Sequence, residues 1–110
     1  MRQAIWMEID QIVAAIQANQ VNVTLHARRE ARNDSLVLDE ILFSARHGEI
    51  IEGYPGDKPF PSCLVFGRTP AGDPVHSVWA YDPETGIAVL VTVYRPDLGR
   101  WIEWKKRRTP

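Results

Sequence analysis

The feature that most constrains this chain is a change of hydrophobic period at Gly48. Before it, apolar residues recur every three or four positions. After it, they alternate or cluster in short blocks between turn residues. Ile5, Ile9, Ile12, Val13 and Ile16 form one stripe, which predicts an amphipathic helix over 3–18 closed by Asn19-Gln20. Val21-Asn22-Val23 reads as a short extended link. Thr24 is suited to cap a second helix through Asn33, and Ser35 to cap a third through Leu36, Leu38, Ile41, Leu42 and Ala45. His47 falls near the end of that helix, with Gly48 as its left-handed stop. Strands follow at 49–54, 63–68, 75–81 and 87–94, separated by Pro- and Gly-rich segments that cannot join a ladder. The apolar run Ile87–Val91 predicts a central strand covered on both faces. Leu98–Trp104 reads either as a short helical turn or as an edge segment, with Trp101 and Trp104 folding back onto the sheet. Helices first and a strand meander afterwards argue for an α+β fold, with N-terminal helices packed on a four-stranded, mainly antiparallel sheet.

At 110 residues the chain is expected to form a single domain. It divides into the amphipathic helix at 1–20, a core at 22–104 and a basic tail at 105–110. Cys63 is the only cysteine, so no internal disulfide forms and a reducing compartment is expected. Glu8 and Asp10 in the first helix argue against a secretory leader, and no apolar run reaches the ~20 residues of a membrane span. The expected location is therefore cytoplasmic, with no membrane partner. Charge is uneven: residues 1–94 hold 7 Lys/Arg against 12 Asp/Glu, while residues 95–110 hold 6 against 2. The run Lys105-Lys106-Arg107-Arg108 reads as a tail, solvated or phosphate-binding, that contributes affinity and little stability.

The residues with chemical potential begin in Thr24–Asp34. At helical spacing His26, Arg29, Glu30 and Asn33 share one stripe, with Asp34 at its edge, while Ala27 and Ala31 seat the helix. The stripe reads either as a site or as ordinary surface pairs. His76 shares a strand face with Val78 and Ala80, and Tyr94 ends the last strand just before Arg95. His26 and Glu30 with His76 could ligate an ion, but there is no His-Glu-x-x-His motif and no Cys pair. No metal or other cofactor is therefore expected. Cys63 reads as a buried small hydrophobe, and no phosphate loop or nucleophile elbow is present. A His, a carboxylate, several Arg and a Tyr suffice for cleavage of an RNA backbone, where the 2′-hydroxyl is an internal nucleophile.

Three segments together resemble a bacterial family of domains of unknown function, number 4258. They are His26-Ala27-x-x-Glu30-x-x-x-Asp34, the run Gly48–Pro55 leading to Lys58-Pro59-x-Pro61-Ser62-Cys63-Leu64, and Pro74-x-His76. Thr92-Val93-Tyr94-x-Pro96-Asp97 with a following Trp and a basic run adds to the likeness, which covers about residues 22–108. The chain departs from the family at Val37, where a helix-capping Thr or Ser is usual, and in its longer first helix, which suits an interface. The resemblance implies a RelE-like fold, shared by toxins of toxin–antitoxin pairs, several of them ribonucleases. It also implies a small zinc-finger antitoxin as partner, and it points to His26, Glu30, Asp34, His76 and Tyr94.

The expected function is thus a toxin acting as a metal-independent endoribonuclease on RNA. His26 would be the base or acid, oriented by Glu30, with His76 and Tyr94 as supporting catalytic residues. Arg29, Asp34, Arg95, Lys105 and Arg107 would bind substrate. The alternative is a non-enzymatic module that inhibits a protein target, which the acidic body favours. The assembly expected is either a homodimer or a hetero-oligomer with the antitoxin.

Overall fold

A computed structural model describes residues 7–109. Three short amphipathic helices precede most of the sheet: α1 (Ile9–Gln17), α2 (Leu25–Asn33) and α3 (Leu38–Arg46). Residues 3–6 of the expected first helix lie outside the described residues. α1 turns Ile12, Ala15 and Ile16 inward, and Gln11 Oε1 accepts the Glu8 N–H at 2.9 Å. Thr24 caps α2 as expected, its Oγ1 accepting the Ala27 N–H at 3.0 Å. Ser35 does not cap α3. It sits at φ 54°, in the left-handed turn that follows α2, and α3 begins three residues later behind Val37. Val37 has no side-chain acceptor, so the cap is supplied from inside the helix: Glu40 Oε1 accepts the Val37 N–H at 3.0 Å.

The strands are β1 (Val21–Val23), β2 (Glu49–Tyr54), β3 (Ser62–Arg68), β4 (Pro74–Asp82), β5 (Ile87–Tyr94), β6 (Trp101–Ile102) and β7 (Lys106–Arg107). β1 to β5 form one sheet in the order β1-β5-β4-β3-β2. The expected four strands are therefore five, because the link at 21–23 is itself a strand. β1 runs parallel to β5, pairing Val21 with Ala88 and Val23 with Leu90, and the remaining pairs are antiparallel. β5 is internal, as the apolar run predicts, but only its helix-side residues are fully covered.

All three helices lie on one face of the sheet. There Ile12, Ile41, Cys63, Val65, Trp79 and Leu90 meet in the core, each at most 1% exposed. α3 and β3 approach closely. A Cβ on Gly48 would stand 2.6 Å from the Phe66 carbonyl and 2.7 Å from that of Ser44, and one on Gly67 would run into the Ser44 carbonyl. Gly48 is thus required by close packing rather than by a left-handed stop; the glycines at positive φ among the described residues are Gly72 and Gly86. Because the obstacle at Gly67 is backbone and cannot rotate away, Gly67→Ala should destabilise the fold by roughly 1–3 kcal/mol or more. Urea unfolding checks this; an unchanged midpoint would refute the packing account.

Candidate functional site

The face of the sheet away from the helices carries the polar residues. Strand alternation alone would put Ile50 and Glu52 on one face. A bulge at Ile51 breaks the pattern: Ile50 pairs with Val65 on the helix side, while Glu52 pairs with Leu64 on the other. A second bulge at Val91 does the same for β5, leaving Leu90 toward the helices and Thr92 and Tyr94 away from them. The Val91 carbonyl accepts the Thr24 hydroxyl at 2.9 Å, so the cap of α2 also fastens this bulge. In consequence Phe66, His76 and Tyr94 form one row across β3, β4 and β5, with Glu52 and Tyr54 beside it on β2.

The C-terminal segment closes over this row. The expected free tail is instead a hairpin: after a turn at Asp97–Arg100, β6 and β7 pair Trp101 with Arg107 and Ile102 with Lys106. Glu103 (φ 50°) and Trp104 (φ 67°) are both left-handed, and Lys105 N–H bonds to the Ile102 carbonyl at 3.0 Å, as in a type I′ turn. Trp101 folds back as expected. It is 3% exposed, and its ring stands edge-on to His76 at 4.5 Å. The turn also aims the Trp104 carbonyl at His76 Nε2, 2.6 Å away.

His76 is fully buried. A carbonyl can only accept, so Nε2 carries a proton, and in the neutral ring Nδ1 accepts from the Tyr94 hydroxyl at 3.1 Å. Burial lowers the His76 pKa below its ordinary value. The Trp104 carbonyl and the Glu52 carboxylate act against this, and the Arg107 charge adds to it. Burial likewise holds the Tyr94 hydroxyl above its ordinary value, so it is a proton donor at neutral pH. Beside them Arg107 grips Glu52 with two bonds, at 2.8 and 3.1 Å, and Tyr54 donates to the same carboxylate at 2.6 Å. Burial alone would raise the Glu52 pKa, but these partners outweigh it and keep it below the usual carboxylate range. Tyr54 is pushed up to about 12 by burial and by Glu52.

A cleft of about 430 Å³ opens at the end of β5, lined by Tyr94, Arg95, Asp97, Arg100, Trp101 and Arg107. Three arginines and one carboxylate line it. Arg107 is also held by Glu52, and Arg95 lies 3.6 Å from the Asp73 carboxylate at the cleft's edge. Tyr94 is the member of the His76 pair that reaches the opening. Arg95 is braced by α2. Its backbone N–H bonds to Asp34 Oδ2 at 2.7 Å, and its side chain bonds to the Asp34 and Ser35 carbonyls at 2.7 and 3.2 Å. Asp34 therefore positions Arg95 with its carboxylate already engaged. Lys105 lies on the opposite side of the hairpin, paired with Glu49 at 2.8 Å.

The structure does not unite the residues expected to act together. His76, Tyr94, Arg95 and Arg107 converge near the cleft. His26 and Arg29 are exposed on α2, on the helix side of the sheet, with Glu30 half-buried beside them. Among the described residues no hydrogen bond or ion pair links His26 to Glu30, and no three His, Cys, Asp or Glu side chains converge as metal ligands do. Glu52, Tyr54 and Arg100 were not foreseen. Glu52 and Tyr54 stand two apart in the strand Glu49–Tyr54, which is the pattern of one polar strand face. No helix among the described residues is long and apolar enough to cross a membrane.

A family model described as a domain of unknown function (DUF4258) matches residues 23–95, from the end of β1 to the first arginine of the cleft. No curated protein and no solved structure matches the chain.

Two outcomes are expected. Because the folded pKa of His76 is depressed, its contribution to stability is complete above about pH 6.5, the unfolded value, and is lost as pH falls through the folded one. Urea unfolding should show stability declining from pH 7.5 to 5.5, with a flatter profile for His76→Gln; equal slopes would refute the assignment. Deleting 105–110 removes β7 and strips Arg107 from the half-buried Glu52, and should cost about 1–3 kcal/mol. An unchanged melting temperature would return these residues to the status of a free tail.

Proposed function

The chain belongs to the DUF4258 family, and from the geometry of the cleft we propose that it is a metal-independent endoribonuclease, the toxin of a bacterial toxin–antitoxin pair. A RelE-like kinship, a zinc-finger antitoxin as partner and a cytoplasmic location belong to the same proposal. Family membership carries no activity by itself. The observation that carries the reading is the Tyr94 hydroxyl, bonded to a neutral His76 in the wall of a cleft rimmed by Arg95, Arg100 and Arg107.

In this reading the guanidiniums hold an RNA phosphodiester and stabilise the phosphorane. Tyr94 takes the 2′-hydroxyl proton while passing its own to His76 Nδ1. The 2′-oxygen bonds to phosphorus, the bond from phosphorus to the 5′-oxygen breaks, and the leaving oxygen takes a proton from water in the open cleft. The products are a 2′,3′-cyclic phosphate and a 5′-hydroxyl. The imidazolium then returns its proton to solvent through Tyr94. His76 acts as a positioning and proton-storing residue behind Tyr94, and α2 with His26, Glu30 and Arg29 lies outside this chemistry.

A second reading, inhibition of a protein target by binding alone, is favoured by a groove of about 500 Å³ between α2 and α3. Its rim includes Val37 and Leu38, which are exposed by 60% and 42%.

Total RNA incubated with the protein in EDTA separates the two. Cleavage supports the enzyme, whereas intact RNA with continued toxicity in cells supports the binder. Tyr94→Phe should lose about 100-fold or more of the cleavage with its fold intact, while His26→Ala should cleave normally. Full cleavage by Tyr94→Phe, or its loss in a folded His26→Ala, would overturn the assignment.

A further inference from the structure

We propose a second nucleotide subsite on the opposite side of the C-terminal hairpin, where a base and a phosphate of single-stranded RNA bind next to the arginine cleft. It rests on the reading of that cleft as the RNA site. The subsite is a pocket of about 290 Å³ between the end of α3 and strands β2 and β3. Phe43, His47, Glu49, Phe66, Arg68 and Lys105 contribute to its lining.

Its composition is that of a stacking platform with cations around it. The rings of Phe43 and His47 stand 4.6 Å apart and tilted, with His47 exposed and Phe43 half-buried. The Arg46 guanidinium lies 6.0 Å from the Phe43 ring centre. Arg68 and Lys105 lie over the Phe66 ring at 5.5 and 5.8 Å. The single carboxylate in the lining, Glu49, is already paired with Lys105. Arg68 spends one N–H on the Gly72 carbonyl at 3.0 Å and has four others to offer. Here His47 is the exposed ring, backed by half-buried Phe43 and buried Phe66. Aromatic rings interleaved with cations bind single strands, because every base has a face to stack and every linkage a charge to neutralise.

The position of the pocket ties it to the cleft. Phe66 and Tyr94 are the two ends of the row centred on His76, separated by two strand spacings, or about 10 Å. The hairpin spans the same interval with cations: Lys105 lines the pocket and Arg107 lines the cleft. A single strand held at the cleft therefore meets the pocket within a nucleotide or two along its length. A duplex would offer its phosphates but no unstacked base for His47 and Phe43.

The test uses fluorescein-labelled 2′-O-methyl oligonucleotides of two and of eight nucleotides, which bind without being cleaved, followed by anisotropy over a range of salt. The wild-type protein should bind the longer probe at least about tenfold more tightly. His47→Ala and Arg68→Glu, both at exposed positions, should remove that gain and leave the dinucleotide affinity unchanged. An Arg68→Ala protein should also lower the salt slope by about one. Arg100→Ala should weaken both probes, and circular dichroism confirms that each variant is folded. If Arg100→Ala weakens binding but length or the pocket variants do not matter, the subsite is overturned and the cleft reading stands. If the wild-type protein binds neither probe, the cleft reading falls and the subsite with it.

Discussion

A five-stranded sheet has two faces, and this chain has helices for only one of them. The other face carries Phe66, His76, Val78, Tyr94 and Glu52, and a hairpin of two two-residue strands has to cover it. So small a cover buries one large apolar side chain, Trp101. Directed bonds hold the rest of it: the Trp104 carbonyl on His76, Arg107 on Glu52 and Lys105 on Glu49. Burial under this cover keeps His76 neutral, and His76 in turn orients Tyr94 toward the cleft. The polar site and the closure of the fold are therefore one arrangement. Two left-handed non-glycine residues at the tip of the hairpin are the conformational cost of aiming the Trp104 carbonyl inward.

Most of the fold was legible in the sequence, for reasons particular residues make clear. The Ile stripe of α1, the Thr24 cap and the Ile87–Tyr94 strand are local signals, and each became the element it implied. The strand at Val21–Val23 was not legible. Three residues carry no period, and the partner that makes them a strand, β5, lies far along the chain. Ser35 misled because a serine before a helix resembles a cap, whereas here the α2 turn takes that residue and Glu40 supplies the cap from within. The basic run misled because four cations read as a solvated end, while β7 sets Arg107 against Glu52, a carboxylate 55 residues earlier in the chain.

The site was legible in part. Tyr94 at a strand end beside a loop was a fair signal, and His76 on a strand face was an ambiguous one; the structure joins them. His26 and Glu30 lie one turn apart on α2, whose location on the helix side of the sheet separates them from that pair. Which face of a sheet a helix covers is a tertiary fact that no spacing encodes. Glu52 was hidden for a different reason: a one-residue bulge reverses the alternation, so that a count of two from Ile50 leads to the wrong face.

The parallel pairing of β1 with β5 has a further consequence for how the molecule is assembled. Val21 meets Ala88 across 67 residues of chain, and α2 is fastened to the Val91 bulge through Thr24. As the chain leaves the ribosome, its first half therefore emerges with no sheet to dock on. The β2–β5 meander, built from short-range hairpins, can form on its own terms, and β1 with its flanking helices must then return to an edge completed late. Loop closure of that length slows folding without weakening the product. The arginine cleft draws on residues from Asp34 to Arg107, so it takes shape only after the long-range closure that brings β1 and α2 to β5.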